Sequence, residues 1–430
     1  MQPHLKHDIF AIRKNATAFV KWLAFACLIG IVTGLVGTAF HYALDWATET
    51  RTANSWLIYL LPIAGLIIVA SYRVTRMEDD KGTEFVIGAV REGRVLRFRT
   101  APLIFLGTVL THLTGGSAGR EGAALQLGGC VSGSLGKLLR LDDKDERIIT
   151  MCGMAGGFSA LFGTPLAAAV FAMEVESIGV MYYAALVPCV LSALIANLVS
   201  SAFGVASTSF TLTFIPAFSP VVFIQVIALG VVFAILANLF CRAMSGSSYL
   251  YKKIKNPYIR IFAGGVVVIL LTLLVRTNDY NGAGMNVITA ALAGDVVPWA
   301  FALKIVFTAL TLGAGFKGGE IVPCFFVGAT SGAAIAPLIG MDGGYGGALG
   351  LIAVFCGVTN SPMTSILLGY ELFGGQGVAL MALCAAVSYL LSGYSGLYHE
   401  QKIMYSKTSP VFLGRKSGEL SQPQEEETKE

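Results

Sequence analysis

Charge is scarce in this chain. Lysine, arginine, aspartate and glutamate together make up 13% of its 430 residues, against 55% hydrophobic residues and a mean hydropathy of +0.70. That balance excludes an ordinary soluble globule, in which about a quarter of residues are charged. The net charge of +4 is too small, and too dispersed between apolar runs, to suggest a nucleic-acid partner. The eight cysteines stand inside apolar segments without CxxC spacing, so they read as buried thiols rather than metal ligands or disulfides. The first apolar stretch, Phe19 to Phe40, runs too long for a signal peptide and reads as a retained membrane helix.

What is present is a series of apolar runs. Several of them (Phe19–Phe40, Trp56–Tyr72, Met181–Phe203, Pro220–Phe240) are long enough to cross about 30 Å of hydrocarbon as helix, and others are shorter or broken by glycine. Fifty glycines allow close helix packing and helices that end inside the bilayer. The basic residues before Trp22, within Arg73–Arg99 and at Lys252-Lys253-Ile254-Lys255 mark one side of the membrane as cytoplasmic and place both termini there. The expectation is an all-α, multi-pass protein of the cell membrane with the lipid bilayer as its solvent.

One stretch stands out: Gly115-Gly116-Ser117-Ala118-Gly119-Arg120-Glu121-Gly122, between two apolar runs. Two ionisable residues at membrane depth cost several kcal/mol unless they are paired or used. Glycines let the backbone leave helical geometry, and the N-terminus of the helix that follows carries unsatisfied N–H donors and partial positive charge, which suits an anion. Glu121 is itself a tethered anion. It can occupy such a site when no free anion does, which makes it a candidate gate and proton carrier.

The second half echoes the first. Gly313-Ala314-Gly315-Phe316-Lys317-Gly318-Gly319-Glu320-Ile321-Val322-Pro323 is another glycine-rich break before an apolar helix, with Gly319 lying 200 residues after Gly119. Thr359-Asn360-Ser361-Pro362 likewise echoes Gly163-Thr164-Pro165, at a separation of 197 between the prolines. Equivalent breaks in two halves indicate an internal repeat with a site at the midplane. We expect residues 1–20 to form a cytoplasmic N-terminal segment. Residues 21–405 should form one transmembrane domain of two inverted halves, about 21–205 and 218–405. Residues 406–430 should form a disordered cytoplasmic tail.

With these pieces in place the chain resembles the CLC family of chloride channels and proton-coupled anion antiporters. Gly119-Arg120-Glu121-Gly122-Ala123 is similar to that family's GREGP motif, with alanine for the last proline, and Gly319–Pro323 is similar to its GIFAP motif. The resemblance implies a CLC-type fold with broken and re-entrant helices, arranged as a homodimer with one pathway per subunit. It also implies that Glu121 is the external gating glutamate and that Tyr398 is the central tyrosine. The backbone around Gly119, Arg120 and Gly122 in one break, and Gly319, Glu320, Ile321 and Val322 in the other, would face the anion.

Glu320 beside Gly318-Gly319, and Val175 where chloride antiporters carry an inner glutamate, resemble the fluoride/proton antiporter branch. In that branch a second glutamate sits where Glu320 does. Two features depart from it. Val322 stands where a threonine is expected, and the first filter loop reads Asp80-Lys81-Gly82-Thr83-Glu84-Phe85. Lys81 falls where the family uses a small neutral residue, and its ammonium is expected to reach the inner anion site and add to its occupancy.

The reading is therefore a transporter of a small halide, fluoride or chloride, coupled to protons through Glu121, with an uncoupled chloride channel as the alternative. No enzymatic activity and no cofactor are implied, and neither break contains the GxxxxGK[ST] of a nucleotide site. Gly115-Gly116-Ser117-Ala118-Gly119 also satisfies GxSxG with His112 five residues upstream, which raises an intramembrane serine hydrolase using Ser117. That chemistry needs a strand–turn–helix elbow, which a helical membrane segment does not supply. A cation transporter would want converging carbonyls, whereas both breaks precede helices and so present N–H groups.

Overall fold

The computed structural model describes residues 3–78, 82–92 and 96–420. Among these residues, sixteen α-helices preceding the C-terminal strands fall into two sets of eight. The first set is α1 (Pro3–Ala53), α2 (Leu61–Val74), α3 (Thr83–Glu92), α4 (Thr100–Leu113), α5 (Glu121–Leu138), α6 (Asp143–Phe162), α7 (Pro165–Glu174) and α8 (Leu186–Ala202). The second is α9 (Pro220–Lys252), α10 (Pro257–Val275), α11 (Met285–Leu292), α12 (Ala300–Ala314), α13 (Ile321–Ile335), α14 (Gly343–Thr359), α15 (Pro362–Phe373) and α16 (Val378–Leu391). Helices correspond in order, the long α1 with α9 and the short α3 with α11.

The matching breaks have matching chemistry. Gly163 closes α6 with φ of +72° and Pro165 opens α7; Asn360 closes α14 with φ of +57° and Pro362 opens α15. A left-handed residue ends each helix and a proline, which needs no N–H partner at a first turn, starts the next. Helices α5 and α6 approach so closely that a Cβ on Gly128 would collide with the carbonyl of Gly153. Gly328 meets Gly350 in the same way between α13 and α14. Close contact of this kind is how apolar helices associate where lipid is as apolar as they are.

Interactions that link the halves are reciprocal. The Glu174 carboxylate at the end of α7 accepts the N–H groups of Met363 and Thr364 at 3.0 and 2.8 Å, and Glu371 near the end of α15 accepts those of Leu166 and Ala167, both at 2.9 Å. Each helix thus caps the orphan donors at the start of the other. Such exchange requires an approximate two-fold axis between the halves.

Among the described residues, six helical segments are long and apolar enough to cross a membrane. The surface is apolar where a soluble protein's would be polar: Leu35 and Trp46 on α1, Ile63 and Ile67 on α2, Ile235 and Leu239 on α9, and Leu270 and Leu274 on α10 are all exposed. The multi-pass membrane architecture follows from this surface.

One sequence expectation is corrected, at the C-terminal end. At the other, α1 begins at Pro3 and runs unbroken through residues 3–20, where no glycine or further proline interrupts it before Phe19. The tail expected from residue 406 is folded through Leu420. Strands β1 (Ser177–Ile178), β2 (Lys402–Tyr405) and β3 (Phe412–Lys416) make a small sheet, with β1 parallel and β3 antiparallel to β2, and a helical turn Ser417–Leu420 follows. Polar composition suggested disorder, but Lys407 in the β2–β3 connection anchors it, donating to Asn360 Oδ1, Tyr389 O and Ser392 Oγ. Residues 421–430 lie outside the described residues. The charged stretch Lys137–Arg147 is also ordered. It closes α5 and opens α6, where Asp142 accepts the Asp145 N–H at 2.8 Å.

Candidate functional site

The two glycine breaks meet. Gly119 and Gly319 form an isolated antiparallel bridge, with Gly119 N–H donating to Gly319 O at 2.7 Å and Gly319 N–H donating to Gly119 O at 2.8 Å. Side chains would prevent it: a Cβ on Gly319 would stand 2.6 Å from the Gly122 nitrogen, and one on Gly119 would stand 2.9 Å from Glu121 Oε2. The bridge sets the first turns of α5 and α13 side by side. A third helix start joins them, because Gly82 takes a φ of +72° and α3 begins at Thr83, whose hydroxyl donates to Gly122 O at 3.1 Å. The far end of α3 is tied to the C-terminal sheet through Arg91, which bonds the Glu400 carbonyl, while the Glu400 side chain holds Lys416 at 2.7 Å.

Glu121 is fully buried at the first position of α5. Its Oε2 accepts the Arg120 N–H at 3.0 Å, and the amides of Glu121 itself and of Val322, across the bridge, also face the carboxylate. Its Oε1 has no hydrogen-bond partner and lies 3.6 Å from Arg120 Nε. The gate candidate thus sits where two helix N-termini converge, which is where an anion is favoured. Glu320 is the N-cap residue of α13 and makes no side-chain cap; its Oε2 is buried without a partner. The Tyr398 hydroxyl is also buried and unpartnered, within electrostatic reach of Glu121 and Glu320.

Of the residues singled out from sequence, Gly119, Arg120, Glu121, Gly122, Gly319, Glu320, Ile321, Val322 and Tyr398 are thus brought together. Arg120 offers its backbone N–H to the Glu121 carboxylate. Its guanidinium lies between that carboxylate, with Nε 3.6 Å from Oε1, and α1, where Nη1 is 3.4 Å from Asp45 Oδ1 and 3.3 Å from His41 Nδ1, while His41 Nε2 meets Asp45 Oδ2 at 2.9 Å. The side chain of Val322 is fully buried. Lys81 lies outside the described residues.

The hydrolase pairing does not form. Ser117 Oγ is 3.0 Å from Thr308 Oγ1, and its N–H donates to Thr311 Oγ1 at 3.1 Å, whereas His112 Nε2 is 3.3 Å from Gly119 O. The stretch is a loop between α4 and α5, not an elbow after a strand.

Sequence reasoning missed His41 and Asp45. Their spacing of four on one helix face, at membrane depth, was the available signal. It also missed the contact of Glu84, which accepts the His399 N–H at 2.9 Å beside Tyr398. Nothing in the local pattern announces that pairing.

Comparison with known proteins gives a consistent result. The chain matches the family described as voltage gated chloride channel over residues 64–393. It is 37% identical over 395 residues, 90% of this chain and 87% of the relative, to the chloride/fluoride channel protein of Pseudomonas syringae pv. tomato. It is 27% identical to an H(+)/Cl(-) exchange transporter of Vibrio campbellii, covering 91% of this chain and 92% of the other. Among solved structures it is similar to a CLC-type fluoride/proton antiporter, with a TM-score of 0.86 and 33% identity over 89% of this chain and 98% of that one. On the fold, the paired breaks and these matches, the chain belongs to the CLC family.

Proposed function

We propose that this protein exchanges a small halide, fluoride or chloride, for protons across the membrane, with Glu121 as gate and proton carrier. Members of its family are transporters and not enzymes, and the site suits that role. The observation that carries the reading is the set of three buried oxygens, Glu121 Oε1, Glu320 Oε2 and Tyr398 Oη, which make no hydrogen bond among the described residues around the paired starts of α5 and α13, Glu121 Oε1 having only the Arg120 guanidinium nearby, with Nε at 3.6 Å. Buried polar groups are nearly always satisfied, so such a cluster calls for a transient ligand.

A halide stripped of water needs N–H and O–H donors, and the helix starts, the Tyr398 hydroxyl and a protonated Glu320 supply them. Fluoride loses the larger hydration energy and gains most from a carboxylic acid donor. In the carboxylate form Glu121 competes with the anion for the same amides. Protonation releases it, so anion passage and proton passage share one side chain.

Lys81 adds positive charge at the inner mouth, the protein works as a homodimer, and both termini face the cytoplasm. The family resemblance and the basic residues on one side of the apolar runs support these three points. The test is efflux from liposomes loaded in turn with fluoride and with chloride, with external pH recorded. Anion efflux with stoichiometric, opposed proton movement is expected. Efflux with no pH change would leave an uncoupled channel, and no efflux of either halide would refute the reading.

A further inference from the structure

His112 has no part in the halide-exchange reading, yet it touches the gate's backbone. It is 2% exposed at the end of α4, and its Nε2 lies 3.3 Å from Gly119 O. A carbonyl oxygen can only accept, so Nε2 carries the proton. The same peptide group donates on its other side: the N–H of Arg120, joined to the Gly119 carbonyl, reaches Glu121 Oε2 at 3.0 Å. The result is a relay of two hydrogen bonds through one amide, from His112 N–H to Gly119 C=O, and from Arg120 N–H to the Glu121 carboxylate.

Hydrogen bonds in such a chain polarise one another, and a donor on the carbonyl makes the attached N–H a stronger donor. Gly319 N–H already donates to this oxygen at 2.8 Å, so His112 is its second donor. We propose that His112 is a positioning residue for the gate, acting through the Gly119–Arg120 peptide to hold Glu121 in its carboxylate, site-occupying state. This rests on the reading of Glu121 as the gate.

Other titratable groups face this relay. Arg51, Arg120 and Lys304 surround His112, and Lys304 is fully buried with its Nζ donating to Gly282 O at 2.7 Å and Tyr280 O at 3.2 Å. Glu121 is faced by Arg120, and it lies within electrostatic reach of Cys324 and Tyr398. None of these touches the Gly119 carbonyl, so a substitution at His112 alone isolates the relay.

The experiment measures the pH dependence of halide flux in liposomes for H112L and H112N, which lack a donor at the Nε2 position, and H112Q, whose amide nitrogen replaces it. Weakening the Arg120 donor leaves the carboxylate less stabilised, so Glu121 takes its proton at higher pH. The flux midpoint should move toward alkaline pH by about half a unit, roughly threefold in proton affinity, in H112L and H112N. It should return most of the way in H112Q. In an E121Q background, the His112 substitutions should leave the profile where E121Q alone puts it.

An unmoved midpoint in H112L and H112N, or a shift that survives in E121Q, overturns the proposal. A wild-type pH profile in E121Q itself refutes the gating reading instead. If H112L fails to fold, the H112N and H112Q pair carries the same contrast.

Discussion

The two breaks share a backbone and differ in where they put their charge. Ser117 corresponds to Lys317, Gly119 to Gly319, Arg120 to Glu320 and Glu121 to Ile321. In the first break the acid is the first helical residue, so its carboxylate folds back onto the amides of its own turn and of the facing one. In the second the acid stands one residue earlier, at the N-cap, and its carboxylate makes no cap. One residue is about 100° of helical rotation, enough to aim the same group elsewhere. The flanking residues differ as well. Ser117 is fixed by Thr308 and Thr311, whereas the Lys317 ammonium lies over the Tyr72 ring, 4.2 Å from its centroid. A duplicated frame thus holds one acid against backbone amides and leaves a carboxylate oxygen of the other without a hydrogen bond among the described residues.

The comparison breaks most completely at the glycines. Gly319→Ala puts a methyl group against backbone atoms, Gly122 N at 2.6 Å and Glu121 N at 3.3 Å, while the same change at Gly119 meets two side-chain atoms at 2.9 Å, Glu121 Oε2 and Pro323 Cδ, and its nearest backbone atom, Gly319 O, only at 3.1 Å. Gly319→Ala should abolish flux or folding, with a cost of about 1–3 kcal/mol or more. Gly119→Ala should be milder, and size-exclusion profiles with flux rates compare the two. Equal damage would show that the breaks do not differ in this respect.

Next come the acids. Glu121→Gln keeps shape and removes titration, so coupled proton movement should vanish while halide flux persists with altered pH dependence. Glu320→Gln should retain Glu121 gating yet slow exchange by about tenfold, the loss of roughly 1.4 kcal/mol of transition-state stabilisation. Identical phenotypes would erase the division of roles.

Tyr398→Phe removes one donor from the shared site and should weaken halide binding by about 1 kcal/mol, or somewhat more because the acceptor is charged, as calorimetry would show. The smallest effect is expected at Lys81. Lys81→Met should weaken binding about twofold at low ionic strength and not measurably at high salt, as salt screening of its ammonium's field requires. It should also raise the pH at which flux changes, since a nearby cation favours the Glu121 carboxylate. Binding that is independent of salt in both proteins would remove Lys81 from the pathway.

Much of this was legible before any coordinates. Spacings of 200 between Gly119 and Gly319 and of 197 between Pro165 and Pro362 revealed the repeat, because glycine and proline mark breaks by what they do to the backbone. Hydropathy revealed the membrane. It could not reveal partners far apart in sequence: the cap of Glu174 on Met363, the turn of Arg120 toward Asp45, or the reach of His112 to Gly119. Those depend on tertiary approach, and the same His112 read alone suggested a hydrolase dyad. The folded C-terminal strands were missed for a related reason, since their polar residues are ordered by Asn360 and the end of α16 and not by their own pattern.

The crossed caps of Glu174 and Glu371 also govern how the chain is made. Glu174 finds its donors 189 and 190 residues further on, so the first eight helices leave the ribosome with a carboxylate and the amides of Leu166 and Ala167 unanswered. At about 5–20 residues per second that wait lasts roughly ten to forty seconds. During it the first half lacks the caps that only its complement supplies, so the two halves mature as one unit and not in turn.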